Sequence, residues 1–223
     1  RQLAAAHDLA EPVETGSWFD PGLAARSGDF WVRLEWYSYS RGNWSRSEEA
    51  GHRIVLRHAV GDLGGLTLAP ETLETAMAKA LPLGLGGARE VELGDRLFDG
   101  AFYVGGAPAR VFAALDAATR ARLLRLGGLG RVALSRGELS LEVAQDDSLA
   151  SFARVHAGLE LALDVAARLA RAADPTARLA ENARADPIPL VRLRCLQVLM
   201  REFGEDPATH AVALAACSDP DPE

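Results

Sequence analysis

An Asp-Pro step that recurs at a fixed interval is the feature that most constrains the fold of this chain. Asp186-Pro187-Ile188-Pro189 returns as Asp219-Pro220-Asp221-Pro222, an offset of 33 residues. Leucines and alanines at helical spacing precede both copies, and a leucine-rich segment follows the first. A unit of this length with two helices is typical of a helical solenoid, in which each pair buries its apolar stripe against the next pair. Residues 174–223 are therefore predicted to form paired helices.

The first copy also resembles a known repeat family. Residues 179–192, with the sequence LAENARADPIPLVR, resemble a HEAT-type repeat, in which an Asp-Pro turn separates two helices and a Val-Arg pair opens the second. The resemblance covers residues 174–223, less than a quarter of the chain, and implies an all-α stack. Residues 92–104 loosely resemble segments of uncharacterised bacterial proteins, which implies no catalytic residues.

One helical pair cannot bury its apolar stripe alone, and about three units are usually needed. Two arrangements would satisfy this need: the preceding domain caps the helices, or the parent protein continues beyond Glu223. We expect both. The chain starts at Arg1 and not at Met, so we also expect it to be a piece of a longer protein.

Earlier in the chain, apolar residues alternate with polar ones, which is typical of strands. Residues 29–60 show a period of two and predict a long hairpin with a wide loop. Residues 131–143 predict a tighter hairpin, because a two-residue turn at Arg136-Gly137 aligns the apolar faces in one register only. The cross-strand pairs of that register are Ser135–Glu138, Leu134–Leu139 and Val132–Leu141.

Other segments give weaker signals. Asp20-Pro21-Gly22 predicts a turn, Pro70-Glu71 predicts the start of a helix, and residues 90–104 predict an extended segment. Further helices are expected from Pro108 to Leu115, from Asp116 to Leu126, and over residues 148–172. The apolar stripe of the last helix would contain Leu149, Phe152, Leu159, Leu163 and Ala166.

These patterns predict an α+β protein. Residues 1–146 form a domain with an N-terminal antiparallel sheet and flanking helices. Residues 147–223 form an all-α, HEAT-like segment.

Composition narrows the class of function. The chain has 24 basic and 31 acidic residues, for a net charge of −7, which argues against general affinity for nucleic acid. Lys79 is its only lysine, and together with abundant alanine and leucine this indicates a GC-rich bacterial genome. Cys195 and Cys217 fit no zinc spacing and favour a reducing, cytoplasmic location. The sequence contains no run of about 18 apolar residues, so it predicts no membrane-spanning segment.

The aromatic residues offer the most interesting surface. All four tryptophans occur between residues 18 and 44, interleaved with arginines, and such a pattern can stack bases or sugars. Alternating aromatics also favour a sheet covered on both faces. Trp44 lies in a polar loop where nothing local would bury it. The candidate interaction surface consists of Trp31, Trp36, Tyr39, Trp44 and Arg192.

No arrangement of residues predicts catalysis, a cofactor or a metal. His52 and His58 are about 20 Å apart on one strand, too far apart for one metal ion, and Asp95 and Asp99 are expected to anchor turns. We therefore expect a non-enzymatic protein-interaction or scaffold module with a protein partner and no nucleic acid. The alternatives are a ligand-binding or sensory domain on the aromatic-rich sheet and an enzyme with an unfamiliar site.

Overall fold

The computed structural model describes residues 9–17, 20–40, 48–58, 65–72, 90–144, 149–171 and 174–217. They form an α+β fold, as the sequence predicted. The strands are β1 (Ala10–Ser17), β2 (Asp20–Ser27), β3 (Phe30–Ser40), β4 (Glu48–His58), β5 (Leu66–Pro70), β6 (Phe102–Gly106), β7 (Arg131–Ser135) and β8 (Glu138–Ala144). The helices are α1 (Arg96–Asp99), α2 (Pro108–Ala114), α3 (Ala117–Gly127), α4 (Leu149–Ala170), α5 (Pro175–Ala185), α6 (Pro189–Phe203) and α7 (Pro207–Ala216).

The eight strands form one antiparallel sheet in the order β1-β2-β3-β4-β8-β7-β5-β6. Strands β1 to β4 follow one another as hairpins, and β8 then pairs with β4. Along β3 and β4 the apolar residues alternate, so that Val32, Ile54 and Leu56 are buried on one face. This apolar face is the core side of the sheet.

Both predicted hairpins are confirmed. Strands β7 and β8 pair with Ser135 opposite Glu138, Leu134 opposite Leu139 and Val132 opposite Leu141. Arg136 and Gly137 have φ angles of 53° and 76°, as a type I′ turn requires. Strands β3 and β4 form the longer hairpin, and residues 41–47 at its tip lie outside the described residues.

Helix α4 confirms the helix expected over residues 148–172, but one residue of its predicted stripe is wrong. Phe152 is 53% exposed, whereas Val155 and Leu159 are buried. Phe152 is exposed because the helix contacts the sheet at Gly158, where a Cβ atom would lie only 2.6 Å from Cδ2 of Leu141. The helix therefore packs closely at its middle, and Phe152 lies six residues, or about 1.7 turns, earlier on a different side of the helix.

Three local predictions are corrected. Asp20-Pro21-Gly22 is not a turn but the start of β2. Pro21 is tolerated there because it pairs only with Gly16 of β1, while pairing with β3 begins at Gly22. Pro70 ends strand β5 and does not open a helix.

The expected helix after Pro70 falls largely on residues 73–89, outside the described part of the chain. The segment predicted to be extended over residues 90–104 contains helix α1. That helix forms because the Asp95 side chain accepts hydrogen bonds from the amides of Leu97 and Phe98. The turn role expected of Asp99 is confirmed, since it accepts from the amides of Leu93 and Gly94.

Asp-Pro steps begin or separate the C-terminal helices. Asp174 caps α5 and Asp206 caps α7, each by accepting hydrogen bonds from backbone amides. Asp186 lies between α5 and α6 and accepts from the amide of Ile188. The fourth step, at Asp219, falls outside the described residues.

The buried core is continuous from the sheet into these helices. One cluster of buried apolar residues includes Leu115 of the α2–α3 connection, Leu159 of α4, Leu179 of α5 and Leu199 of α6. Helix α5 packs against α2, and α6 packs against α5. The division at residues 146 and 147 stays a prediction. Within the described ranges, no helix combines the length and apolar character needed to cross a bilayer.

Candidate functional site

The residues of the candidate interaction surface do not all lie together. Trp31 and Trp36 are five residues apart on β3, so their side chains point to opposite faces of the sheet. Trp31 is 49% exposed on the face away from the core, hereafter the outer face. Only the backbone of Tyr39 is described, and Trp44 lies outside the described residues.

Trp36 is half-buried on the core side of the sheet. Its ring meets the ring of His52 edge to face, with centroids 5.2 Å apart. Burial lowers the pKa of His52, which favours the neutral imidazole in this apolar contact. Trp36 is therefore a packing residue in this structure.

Arg192 lies in the first turn of α6, far from the tryptophans in sequence. Its guanidinium donates a hydrogen bond of 3.0 Å to the carbonyl oxygen of Asp186. This contact joins the start of α6 to the turn before it. Val191, the other half of the Val-Arg pair, is buried.

Trp31 lies in a row of side chains that runs across four strands, and the other members of the row are charged. Arg26 of β2 lies opposite Trp31, Trp31 lies opposite Arg57 of β4, and Arg57 lies opposite Glu138 of β8. Directly opposed residues in an antiparallel sheet project to the same side. The guanidinium carbon of Arg26 is 5.8 Å from the centroid of the Trp31 ring, a cation–π distance. An exposed indole therefore has an arginine on each side.

The outer face carries more charges beyond this row. The side chains that the structure describes on this face include five arginines and three glutamates, and Asp20 and Glu49 also belong to this face by register. The arginines are Arg26, Arg33, Arg53, Arg57 and Arg131, and the glutamates are Glu35, Glu138 and Glu142.

Ion pairs join some of these charges. Arg33 contacts Glu35 at 2.6 Å, and Arg53 contacts Glu142 at 2.7 Å. The long helix α4 meets the core side of the sheet at Leu141, and Trp31, Arg33 and Arg57 are exposed on the charged face.

A buried cluster of charges is the feature that sequence reasoning missed. Arg120 of α3 is 2% exposed and contacts two carboxylates. Its Nε donates to Asp95 at 2.9 Å, and its two terminal nitrogens donate to Asp186 at 2.9 and 3.0 Å. Burial opposes the charge of Arg120, but the two aspartates outweigh it and raise the arginine pKa.

The sequence held a signal for this cluster. Arg120 lies three residues before Leu123, so it belongs to the buried side of its helix. The pattern placed Asp95 and Asp186 in turns but gave no indication that one arginine would join them. The cluster holds the turn before α1 and the turn before α6 against α3.

Further polar contacts connect the C-terminal helices to the rest of the protein. Asn182 donates to the carbonyl oxygen of Phe112 at 2.7 Å, and Arg178 pairs with the carboxylate of Asp116. Burial opposes ionisation of Asp116, but hydrogen bonds from Thr119 and the nearby Arg178 outweigh it and lower the aspartate pKa. Asp116 caps α3, as predicted.

Helix α7 presents an uncharged surface. None of its ten residues is Asp, Glu, Lys or Arg, although only Thr209 and Val212 are buried. Leu214 is 72% exposed.

The preceding unit is different at the equivalent positions. With the 33-residue offset, Arg178, Glu181 and Arg184 of α5 correspond to Ala211, Leu214 and Cys217. Charged positions of the first unit are thus apolar or neutral in the second.

A cavity, a buried cysteine and the possible metal ligands are the remaining candidates for a functional site. A cavity of about 210 Å³ lies between β7 and α3 and is lined mainly by apolar groups, including Phe102, Leu124 and Val132. Cys195 is fully buried, and burial raises the pKa of its thiol to about 12. Among the residues described, no three His, Cys, Asp or Glu side chains are grouped so as to hold a metal ion.

Known proteins give no guide to the function of this chain. A scan against protein-family models, a search of curated proteins and a search of solved structures each gave no match.

Proposed function

We propose that this protein is a non-enzymatic protein-interaction module whose C-terminal helices begin a HEAT-like stack. In this proposal the face of α7 that is exposed among the described residues receives a further amphipathic helix of the α6 type. The observation that carries it is the absence of charged side chains along α7, a helix with most of its side chains at the surface. Surface helices normally carry charges on the solvent side, and an exposed apolar face marks a contact site.

The repeat register argues for the kind of helix that binds there. In the first unit, α5 packs against α6, which begins after the Asp186-Pro187 step. Helix α7 starts one residue before the position equivalent to the start of α5 and is followed by Asp219-Pro220. A helix that follows this second step would pack against α7 as α6 packs against α5.

The proposal is tested by adding a helix to the end of the chain at the position that the 33-residue repeat predicts. Residues 221–223 are replaced by a copy of Ile188–Phe203, which places an α6-like helix after Asp219-Pro220. We expect the unfolding temperature to rise by at least about 5 °C, as a gain of roughly 2 kcal/mol gives in a chain of this length. Hydrogen exchange of the α7 amides should also slow down, because the helix becomes covered.

Two controls make the result specific. In the first, glutamine occupies the copied positions of Val191, Cys195, Val198 and Leu199, the buried residues of α6. In the second, the extended chain carries Leu214→Glu on the acceptor face. Both should lose most of the gain, whereas Leu214→Glu in the original chain should change stability by no more than about 0.5 kcal/mol. An equal gain with the glutamine copy would contradict the proposal.

A further inference from the structure

We propose that the outer face of the sheet binds an acidic peptide segment through the row formed by Arg26, Trp31 and Arg57. This surface is separate from the α7 face. Neighbouring strands are about 4.8 Å apart, so the two arginines flank the indole within roughly 10 Å from backbone to backbone. A short peptide can contact all three side chains at once.

Trp31 provides the apolar centre of the surface. Its side chain is 49% exposed, and the residues on either side of it in the row are charged and exposed. Tryptophan and arginine are the side chains that most often dominate binding energy when a partner covers them. The Arg26 guanidinium already lies against the ring, and its Nε donates to the carbonyl oxygen of Gly28 at 3.0 Å. This arginine is therefore held in position before a partner arrives.

Arg57 provides a second site for a carboxylate. It is exposed, and no hydrogen bond or ion pair joins it to another described residue. Arg33, two residues beyond Trp31 on the same face, is already paired with Glu35. Arg26 and Arg57 are thus the two arginines beside Trp31 that can meet an incoming carboxylate.

The arrangement of charges favours a peptide over a nucleic acid. Glu138 follows Arg57 in the row, and Glu35 lies beside Arg33, so negative charges interrupt the positive ones. A continuous phosphate backbone would be repelled at these glutamates, because its charges are too closely spaced to avoid them. A peptide with separate carboxylates around an apolar residue matches discrete arginines on either side of an indole.

The experiment follows the indole signals of the intact chain by NMR. The probe is the acetylated and amidated peptide Glu-Glu-Phe-Glu-Glu, with Lys-Lys-Phe-Lys-Lys as its charge-reversed counterpart. The Trp31 indole signal is assigned from the spectrum of Trp31→Phe. We expect the acidic peptide to shift this signal, the lysine peptide to leave it in place, and added salt to weaken the binding.

Matched variants locate the binding site. The double variant Arg26→Gln/Arg57→Gln removes two positive charges from the row. The control Arg110→Gln/Arg184→Gln removes two from exposed positions on α2 and α5. The dissociation constant should rise by at least about tenfold in the first and by less than about twofold in the second. The dispersion of the other indole signals reports whether each variant is folded.

Three results would overturn the proposal. One is absence of any shift of the Trp31 signal at millimolar acidic peptide. Another is equal weakening in the two double variants, which would indicate an effect of total charge alone. The third is tighter binding of a single-stranded oligothymidine at the same indole, which would make this a nucleic-acid surface.

Discussion

Arg120 shows how much a single side chain can determine in this molecule. A buried arginine must be compensated, and here Asp95 and Asp186, which are 25 and 66 residues away in the chain, accept its hydrogen bonds. Both aspartates also organise local turns, since Asp95 caps α1 and Asp186 accepts from the amide of Ile188. The same carboxylates thus shape the turns and connect them.

We predict that Arg120→Met strongly destabilises the protein. The substitution keeps similar volume but leaves two buried carboxylates without their cation, a change that costs about 3–5 kcal/mol in comparable buried pairs. Urea unfolding followed by circular dichroism measures the difference. Arg125→Met is the matched control on the same helix, because Arg125 is exposed, and it should change the free energy of unfolding by less than about 0.5 kcal/mol. Similar losses for both variants would contradict this account of Arg120.

The sequence could not indicate the importance of Arg120 in advance. Almost every basic residue of this chain is an arginine, so the residue type alone carries little information. Its position on the buried side of α3 was readable, but its partners are 25 and 66 residues away in the chain. Only the fold brings these groups together.

At the scale of secondary-structure elements, the β7–β8 hairpin could be predicted from the sequence, unlike the contacts of Arg120. Its turn and register were predictable because a two-residue loop and alternating apolar residues permit only one alignment. Strand β2 was not predictable, because it contains Pro21, Gly22 and small alanines and forms through pairing with β1 and β3. The row of Arg26, Trp31 and Arg57 depends on that pairing, so it could not be derived from the sequence either.

The turn of this hairpin gives a second prediction. Gly137 has a φ angle of 76°, so Gly137→Ala should destabilise the protein by about 1–2 kcal/mol, since a side chain disfavours left-handed backbone. Arg136 also has a positive φ, of 53°, and asparagine tolerates that conformation better than arginine. Arg136→Asn should therefore raise the thermal unfolding temperature slightly. In differential scanning calorimetry we expect the unfolding temperature to fall for Gly137→Ala and to rise for Arg136→Asn. A rise for Gly137→Ala would contradict the turn assignment.

At the scale of the whole molecule, the core crosses the boundary that the sequence pattern suggested. Buried residues on both sides of residue 146 belong to one apolar cluster, and polar contacts such as Asn182 to the carbonyl oxygen of Phe112 add to it. The change from alternating to helical pattern was visible in the sequence. The extent of packing between the two parts was not, because it depends on which helix faces meet.

We therefore predict a single unfolding transition. All four tryptophans lie between residues 18 and 44, so their fluorescence reports on the sheet region, while circular dichroism at the helical wavelengths reports mainly on the helices. In urea the two signals should give coincident curves with the same midpoint and slope. Separate midpoints would contradict this prediction and favour two domains divided near residue 146.

The long sequence separation between Arg120 and Asp186 also affects synthesis of the protein. A ribosome must add 66 residues after Arg120 before the second carboxylate exists, and the exit tunnel delays its release further. Until then α3 holds a guanidinium that cannot enter the apolar interior at low cost. The burial of Arg120 can therefore be completed only after the turn before α6 has been translated.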